Sequence, residues 1–225
     1  MALLKIKNIC KTYADGKGVL EVLKDISFSI ELGEIVLVMG PSGSGKTTLL
    51  NIISMIEKAT NGNLEIDEKT INYNDISLID RLRAEVLGIL FESKNLLPEF
   101  TVMENLEIPY KLNNIRDHHI PQKVLSDFEL LDRGDHYPNQ LSAGESQRIS
   151  LLRAIINKPK LIIADEPTAN LDEKNLNMII AFIKKIKINY SSSFILATHD
   201  DRLCDLADRI LYLNDGKLVE RRNKV

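Results

Sequence analysis

A glycine-rich segment is the part of this sequence that most clearly could carry out chemistry. It consists of Gly40, Pro41, Ser42, Gly43, Ser44, Gly45, Lys46 and Thr47. Glycines let the backbone wrap closely, so that successive N–H groups can point at phosphate oxygens. Lys46 can reach β- and γ-phosphates, and the Thr47 hydroxyl can ligate Mg²⁺. The segment therefore predicts a loop that binds a nucleoside triphosphate, ATP in particular.

The elements on either side of this loop are those that a phosphate-binding loop requires. Residues 35–39 are apolar, rich in β-branched side chains and bounded by Gly33 and Gly40, which predicts a buried strand. Apolar residues at helical spacing predict a helix that begins inside the loop; they are Leu49, Ile52, Ile53 and Ile56. This context argues against the alternative, a Gly/Ser turn that happens to precede a lysine.

Acidic residues and a histidine follow two further predicted strands. The run 161–164 ends at Asp165 and Glu166, and the run 194–197 ends just before His199. An acidic pair in this position is usually a solvated turn, and a lone histidine there is usually structural. Opposite a phosphate loop, however, an aspartate can hold Mg²⁺ and an adjacent carboxylate can polarise the attacking water. Ligands also gather at the carboxyl edge of such sheets, where the histidine is expected.

A second anion site is predicted at the start of another helix. Ser142 and Glu145 have the spacing of a capping box, and the helix that follows has an apolar face made of Ile149, Leu152 and Ile156. Such a helix terminus can also bind an anion. A chain with one complete phosphate loop does not need a second anion site of its own. We therefore expect two chains to meet, with each helix end facing the nucleotide of the other chain.

Periodicity elsewhere predicts an α/β fold. Leu4, Ile6 and residues 26–30 alternate with polar residues, as in antiparallel strands, with a turn at 14–18 between them. Strands and helices alternate at both ends of the chain, which predicts a parallel sheet covered by helices. The stretch 92–157 has a mostly helical pattern and predicts an inserted helical subdomain. Its expected helix breakers are Pro98, Pro109, Pro121 and Pro138.

Composition places further limits on function. The chain has 225 residues, of which 44% are hydrophobic and 27% charged, as in an ordinary soluble globular protein. Its formal net charge of −3 gives no argument for nucleic-acid binding. The longest apolar run, 178–183, is far shorter than the roughly 20 residues of a membrane span. Cys10 and Cys204 lack metal-ligand spacing and are expected to be reduced, and His118 and His119 are expected to be solvated.

Taken together, the motifs resemble the nucleotide-binding subunit of ATP-binding cassette (ABC) transporters over essentially the whole chain. They are GPSGSGKT, LSAGESQR, LIIADEP, then Asn170-Leu171-Asp172, then His199, in the order of that family. The resemblance implies a P-loop NTPase fold of ABC type, with a mixed central sheet, an N-terminal antiparallel β subdomain and a helical insertion. It also implies one ABC domain over 1–225, in which 1–91 and 158–225 form the nucleotide-binding core and about 92–157 the helical subdomain.

The same resemblance implies a role for each matching residue. Glu166 matches the general base, His199 the γ-phosphate sensor, and Lys46 the catalytic lysine. The expected contacts with ATP in the same chain are Tyr13, which would stack on adenine, and Gly40, Pro41, Ser42, Gly43, Ser44, Gly45, Lys46, Thr47 and Thr48. Ser142, Gly144 and Glu145 would contact the ATP of a second copy in a head-to-tail homodimer, and Asp172 lies in the loop that meets that copy. The expected Mg²⁺ ligands are Thr47, Glu92 and Asp165.

The expected partners are transmembrane permease subunits, with the chain peripheral on the cytoplasmic face of the inner membrane and no nucleic acid bound. Within the family, the stretches 96–105 and 167–172 look most like the branch of the lipoprotein-releasing (LolD type), MacB-type and FtsE ATPases, and favour lipoprotein release. MacB-type export and FtsE-like cell division are the alternatives. A soluble ABC protein acting on DNA or ribosomes is disfavoured, because such chains carry coiled-coil insertions or tandem cassettes. A poorly hydrolysing regulator is disfavoured by Lys46, Asp165, Glu166 and His199.

Two positions depart from the family pattern. Glu92 stands where the family has a glutamine that contacts Mg²⁺ and couples to the membrane subunit. A carboxylate keeps an acceptor for Mg²⁺, loses the amide donor and adds negative charge beside the triphosphate. We therefore expect altered coupling and slower basal hydrolysis. Ala143 stands where glycine is usual, and because Gly144 is retained we expect little effect.

Overall fold

The computed structural model of the chain describes residues 2–16, 18–91, 96–112, 119–169 and 171–221. Its strands are, in chain order, β1 (Ala2–Asp15), β2 (Gly18–Glu31), β3 (Ile35–Met39), β4 (Asn61–Ile66), β5 (Lys69–Thr70), β6 (Leu87–Leu90), β7 (Leu161–Asp165), β8 (Ser193–Thr198), β9 (Arg209–Asn214) and β10 (Lys217–Arg221). Its α-helices are α1 (Lys46–Ile53), α2 (Ile76–Glu85), α3 (Val102–Leu112), α4 (His119–Asp127), α5 (Ala143–Ile155) and α6 (Glu173–Tyr190). Glu92, His118 and Asn170 lie outside the described residues.

Four strands form an antiparallel sheet in the spatial order β2-β1-β4-β5. Leu4 and Ile6 of β1 are buried, as their alternation with lysines predicted, and they pair with Ile30 and Phe28 of β2. The turn between β1 and β2 is shorter than predicted, because Ala14 still pairs with Val19. The N-terminal antiparallel part of the prediction is therefore confirmed.

The second sheet is mixed and has the spatial order β10-β9-β3-β8-β7-β6. All neighbouring pairs from β9 to β6 are parallel, and β10 runs antiparallel to β9. The side chains of β3 alternate between two hydrophobic clusters, with Leu37 on one face and Val36 and Val38 on the other. Burial on both faces explains the continuous apolar runs of these strands.

The register of the mixed sheet brings the ends of three strands to one edge. Met39 of β3 pairs with Thr198 of β8, and Asp165 of β7 pairs with Ala197. The chain therefore leaves β3, β7 and β8 at the same carboxyl edge, where a parallel sheet of this kind binds its ligands.

Two details of the helical prediction are wrong. Helix α1 ends at Ile53, and Ile56 is 48% exposed beyond it, because Met55 adopts a left-handed φ of 59° that turns the chain away. Pro109 does not break a helix but lies inside α3. A proline removes one helical hydrogen bond, and the burial of Leu106 and Tyr110 on the same helix offsets that loss.

Helices occupy most of the described chain between β6 and β7. Besides α3, α4 and α5, this part contains short 3₁₀ turns at Leu131–Arg133 and Pro138–Gln140. The division of the chain at about 92 and 157 into a core and a helical subdomain stays a prediction. Within the described ranges, no helix combines the length and the apolar character needed to cross a membrane.

Candidate active site

The phosphate-loop candidate connects the end of β3 to the start of α1. A Cβ atom on Gly40 would lie 2.1 Å from the Leu213 carbonyl oxygen, so only glycine fits there. Gly43 and Gly45 have φ values of 78° and 102°, a left-handed conformation that side chains other than glycine rarely adopt. The loop conformation therefore depends on its glycines, as the sequence predicted.

Lys46, the first residue of α1, folds its side chain back over the loop. The side chain is 8% exposed, and its ammonium donates to the carbonyl oxygens of Gly40 at 2.8 Å and Pro41 at 3.1 Å. The nearby Ser44 hydroxyl is buried and has no hydrogen-bond partner within the described residues. Buried hydroxyls normally have a hydrogen-bond partner, so this one fits a loop in which it would donate to a phosphate oxygen of a bound ligand.

Two of the predicted Mg²⁺ ligands are in direct contact. The Thr47 hydroxyl donates to Asp165 Oδ2 at 2.7 Å, and the aspartate, at the end of β7, is only 7% exposed. Mg²⁺ prefers hard oxygen ligands and is often bound by one or two protein groups together with substrate phosphates. A hydroxyl and a carboxylate beside a phosphate loop fit that requirement. The third predicted ligand, Glu92, lies outside the described residues.

Glu166 follows directly after β7 and has a left-handed φ of 47°. Its N–H donates to the Ala197 carbonyl at 2.8 Å, and its carboxylate Oε1 lies 2.9 Å from His199 Nδ1. The hydrogen bond and the negative charge of Glu166 raise the pKa of His199, although its ring is 71% exposed. Lys46 Nζ lies 4.0 Å from the same carboxylate. The three predicted catalytic side chains therefore lie together.

These residues line a cavity of about 1050 Å³ at the sheet edge. The predicted residues in its wall are Pro41, Ser42, Gly43, Gly45, Lys46, Thr47, Thr48, Asp165, Glu166 and His199. The wall also contains residues that the sequence reasoning missed, among them Asp200 and Arg202. Arg202 binds Asp200 with both arms of its guanidinium, at 2.8 and 2.7 Å, and this contact lowers the pKa of Asp200. Asp200 follows His199 directly and Arg202 lies three residues after it, and this proximity was their signal in the sequence.

Tyr13, the predicted adenine contact, lies near the end of β1. Its ring is 37% exposed and has the Lys11 ammonium 4.8 Å from its centroid. Partial burial and the neighbouring Glu57 raise the pKa of Tyr13. The stacking role of its ring stays a prediction.

The predicted capping box at the start of α5 is confirmed. Ser142 Oγ accepts the Glu145 N–H at 3.3 Å, while Glu145 Oε2 accepts the Ser142 N–H at 2.9 Å and its hydroxyl at 2.8 Å. The other carboxylate oxygen accepts from Arg133 Nε at 2.7 Å. The Ser142 backbone and Arg133 together lower the pKa of Glu145 to about 2. Glu145 is therefore ionised at neutral pH, and Arg133 of the same chain balances its negative charge.

Gly144 and Asp172 are connected through Asn175 of α6. A Cβ atom on Gly144 would lie 2.1 Å from Asn175 Oδ1, so any side chain there would displace the Asn175 amide. Asp172 caps α6 and accepts the Asn175 N–H at 2.7 Å and its side-chain amide at 3.0 Å. Both residues therefore have a structural role inside the chain. As far as the structure is described, neither they nor Ser142 nor Glu145 line the cavity above.

Comparison with known proteins identifies the family. The family model for ABC transporters matches residues 23–169. This chain belongs to the ABC transporter family. It is an ATPase domain of that family, and the phosphate-loop residues, Asp165 and Glu166 in the wall of the cavity lie within the matched residues.

The ABC relatives match nearly the full chain. An uncharacterised ABC transporter ATP-binding protein of Methanocaldococcus jannaschii, MJ0796, is 38% identical over 99% of this chain and 97% of its own length. The lipoprotein-releasing system ATP-binding protein LolD of Cytophaga hutchinsonii is 37% identical over 96% of this chain and 99% of its own. An uncharacterised ABC transporter ATP-binding protein of Bacillus subtilis, YvrO, is 36% identical over 96% of this chain.

Solved ABC structures share the fold. A dimeric post-hydrolysis state of MJ0796 bound to ADP and phosphate superposes with a TM-score of 0.90 at 35% identity, covering 99% of each chain. A nucleotide-free cassette from an ABC transporter has a TM-score of 0.84 at 24% identity. The predicted fold class, a P-loop ATPase of ABC type with a mixed sheet and an N-terminal antiparallel sheet, is confirmed.

Of the two departures from the ABC pattern, only one lies in the described chain. Ala143 is the first residue of α5 and is exposed, so its methyl group meets water and does not enter the α5–α6 contact made by Gly144. The expectation that this substitution matters little stays a prediction. The other departure, Glu92, lies outside the described residues.

Proposed function

We propose that the chain is the motor subunit of an ABC complex that releases lipoproteins from the inner membrane. Its place as an ATP-binding ABC transporter subunit is given by the family, and the finer function is supported by the LolD relatives. The observation that carries the catalytic part is the convergence of Lys46, Asp165, Glu166 and His199 on one cavity. Each of these side chains has the chemistry that phosphoryl transfer to water requires.

The residues have separate tasks in the proposed reaction. The loop N–H groups and Lys46 bind the β- and γ-phosphates of ATP. Thr47 and Asp165 would hold Mg²⁺, which when bound neutralises charge on the phosphates. Glu166 accepts a proton from the attacking water, whose oxygen bonds to the γ-phosphorus as the bond to the β-phosphate oxygen breaks, leaving ADP and phosphate. His199 donates to Glu166 through Nδ1 and, in this proposal, would contact the γ-phosphate when ATP is bound.

A second copy of the chain completes the site in this proposal. Ser142, Gly144 and Glu145 stand at a helix N-terminus that, in the described part of the chain, does not line the cavity. A head-to-tail homodimer would bring this terminus to the triphosphate bound by the partner, where the helix end favours an anion. The dimeric structures of MJ0796, a relative of the same fold, support a homodimer. The residues of the wall and of α5 would then form one site.

Transmembrane permease subunits would hold the dimer at the cytoplasmic face of the inner membrane. Asn105 is fully buried and donates to the carbonyl oxygens of Leu97, Phe100 and Thr101, so it fixes a loop that leaves Phe100 40% exposed. The loop belongs to the stretch that resembles the LolD, MacB and FtsE branch.

Relatives named LolD favour lipoprotein release over export by a MacB-type complex or an FtsE-like role, while other relatives of similar identity are uncharacterised.

The catalytic proposal is tested by Glu166→Gln. We expect the ATPase rate to fall at least about a hundredfold while ATP still binds, because the amide cannot accept the proton. Glu85→Gln, which removes an exposed carboxylate at the end of α2, is the matched control and should retain the wild-type rate. Unchanged turnover in Glu166→Gln would show that the assignment of the base is wrong.

The transport proposal needs a test in cells. The tagged chain is purified from membranes, and the co-purifying permease subunits are identified. Depletion of the chain is then followed by fractionation of acylated lipoproteins. Permeases with a large extracytoplasmic domain and lipoproteins retained in the inner membrane would support the proposal. A cell-division membrane partner, or normal lipoprotein release after depletion, would contradict it.

A further inference from the structure

Three consecutive residues, two at the end of β8 and one just after it, contact Glu166 from different directions. The Ala197 carbonyl accepts the Glu166 N–H at 2.8 Å, and His199 Nδ1 lies 2.9 Å from carboxylate Oε1. Between them, the Thr198 hydroxyl lies 3.2 Å from the other carboxylate oxygen, Oε2. The sequence analysis placed His199 in this site but predicted none of these three contacts. Thr198 has no role in the function proposed above.

The surroundings of Thr198 fix the direction of its hydroxyl proton. An ionised carboxylate can only accept, so Thr198 is the donor toward Glu166. The Asp200 N–H donates to Thr198 Oγ1 at 3.0 Å and occupies one of its lone pairs. The side chain is fully buried, which shields the hydroxyl from competing solvent. The hydroxyl is therefore committed to one acceptor, Oε2 of Glu166.

Oε2 is the carboxylate oxygen that neither the Ala197 nor the His199 contact holds, and two features of Glu166 make a partner for it important. Its left-handed φ of 47° is unfavourable for a residue with a Cβ atom and persists only where surrounding contacts impose it. The Lys46 ammonium, 4.0 Å from Oε1, also attracts the carboxylate. If Oε2 were released, the group could rotate into a closer ion pair with Lys46 and turn away from the water it must deprotonate.

We propose that Thr198 is a positioning residue for the general base. Its hydroxyl holds Oε2 so that the Glu166 carboxylate faces the γ-phosphate side of the cavity instead of closing onto Lys46. This inference rests on the proposed function, because it requires Glu166 to act on the attacking water. It concerns the rate of the chemical step and not the binding of ATP, which the loop provides.

The test compares Thr198→Val, which has nearly the same shape without the hydroxyl, with Thr198→Ser, which retains it. A hydrogen bond to a charged group is strong enough that its loss should lower kcat about tenfold in Thr198→Val. KM for ATP should change less than about twofold, and Thr198→Ser should recover most of the rate. Adding Thr198→Val to Glu166→Gln should cause no further loss, because the two residues act as one unit.

A merely structural role would give a different pattern. Ser193 is a buried hydroxyl residue at the other end of β8 that donates to the Glu31 carbonyl, so Ser193→Ala is the matched control, with lower stability and unchanged kcat. If Thr198→Val does not fold, Thr198→Ala gives the same comparison. Wild-type kcat in the folded variant, or an additional tenfold loss on top of Glu166→Gln, would overturn the inference. Unchanged turnover in Glu166→Gln alone would instead overturn the proposed function.

Discussion

Replacing Gly144 by alanine separates the two roles assigned to that residue, packing within the chain and contact with a partner's nucleotide. The new Cβ would lie 2.1 Å from Asn175 Oδ1 and 2.5 Å from its Cγ. Ordinary contacts begin at about 3.5 Å, so the Asn175 amide must move by more than about 1 Å. That amide is tied to Asp172, the N-cap of α6. The movement would therefore also disturb the start of α6.

The cost can be worked out from this geometry. Forcing an extra methyl group into a packed contact typically costs about 1–3 kcal/mol. In a chain of this size each kcal/mol lowers the unfolding midpoint by about 2–4 °C. We therefore expect Gly144→Ala to lower the midpoint by about 2–12 °C in thermal unfolding followed by circular dichroism. Ala143→Gly, a change of one methyl group at the exposed neighbouring position, should cost less than about 1 kcal/mol and serves as the control.

A second variant makes the reasoning refutable. Asn175→Ala removes the two closest atoms and leaves only Cβ, at 3.2 Å from the new methyl group. Most of the loss caused by Gly144→Ala should then disappear in the double variant. An unchanged midpoint in Gly144→Ala, or an equal loss with and without Asn175, would refute the packing argument. If Gly144 also contacts the partner's ATP, the ATPase rate should stay low in the stable double variant.

Three further predictions concern charge. The pKa of Glu145 is lowered from its ordinary value of 4.5 to about 2. Its ionised form therefore contributes stability above pH 4.5, and this contribution is lost as the pH falls toward 2. In Glu145→Gln the free energy of unfolding should fall less over that pH range, by about 1–3 kcal/mol. The pKa of His199 is raised by Glu166, so the stability that its charge provides is present below about pH 6.5 and is lost as the pH rises through the raised value. Because the ring is exposed the effect is small, and the difference in unfolding midpoint between wild type and His199→Gln should be larger at pH 6 than at pH 8.5; equal differences would contradict it. Glu92→Gln should raise basal hydrolysis and change its Mg²⁺ dependence, and identical rates and Mg²⁺ profiles would refute the expected effect.

The site could be predicted from the sequence where one local pattern determined the structure. The strand β3, the loop glycines and Lys46 are contiguous, and buried apolar runs ending at Asp165 and before His199 can only meet at the carboxyl edge of a parallel sheet. Ile56 was misplaced because its spacing continued the helical pattern, whereas Met55 turns the chain. The spacing of apolar residues alone does not show such a change of φ.

Contacts between distant segments were not predictable in the same way. The hydrogen bond from Thr198 to Glu166 depends on the register between β7 and β8, which the sequence does not state. The contact of Gly144 with Asn175 depends on how closely α5 approaches α6. Family resemblance assigned Gly144 a role toward a second chain, while its packing role became visible only in three dimensions.

The left-handed backbone of Glu166 has a consequence for selection on this protein. Asparagine or glycine would adopt that conformation at lower cost than glutamate, by about 1–2 kcal/mol for glycine. Neither would supply the carboxylate that the reaction is proposed to use. Removing the carboxylate would also remove its contacts with Thr198 and His199 and leave the buried Thr198 hydroxyl without its acceptor, which offsets the gain from the relaxed backbone. Selection therefore retains the strained backbone because the carboxylate contributes both these contacts and the proposed activity.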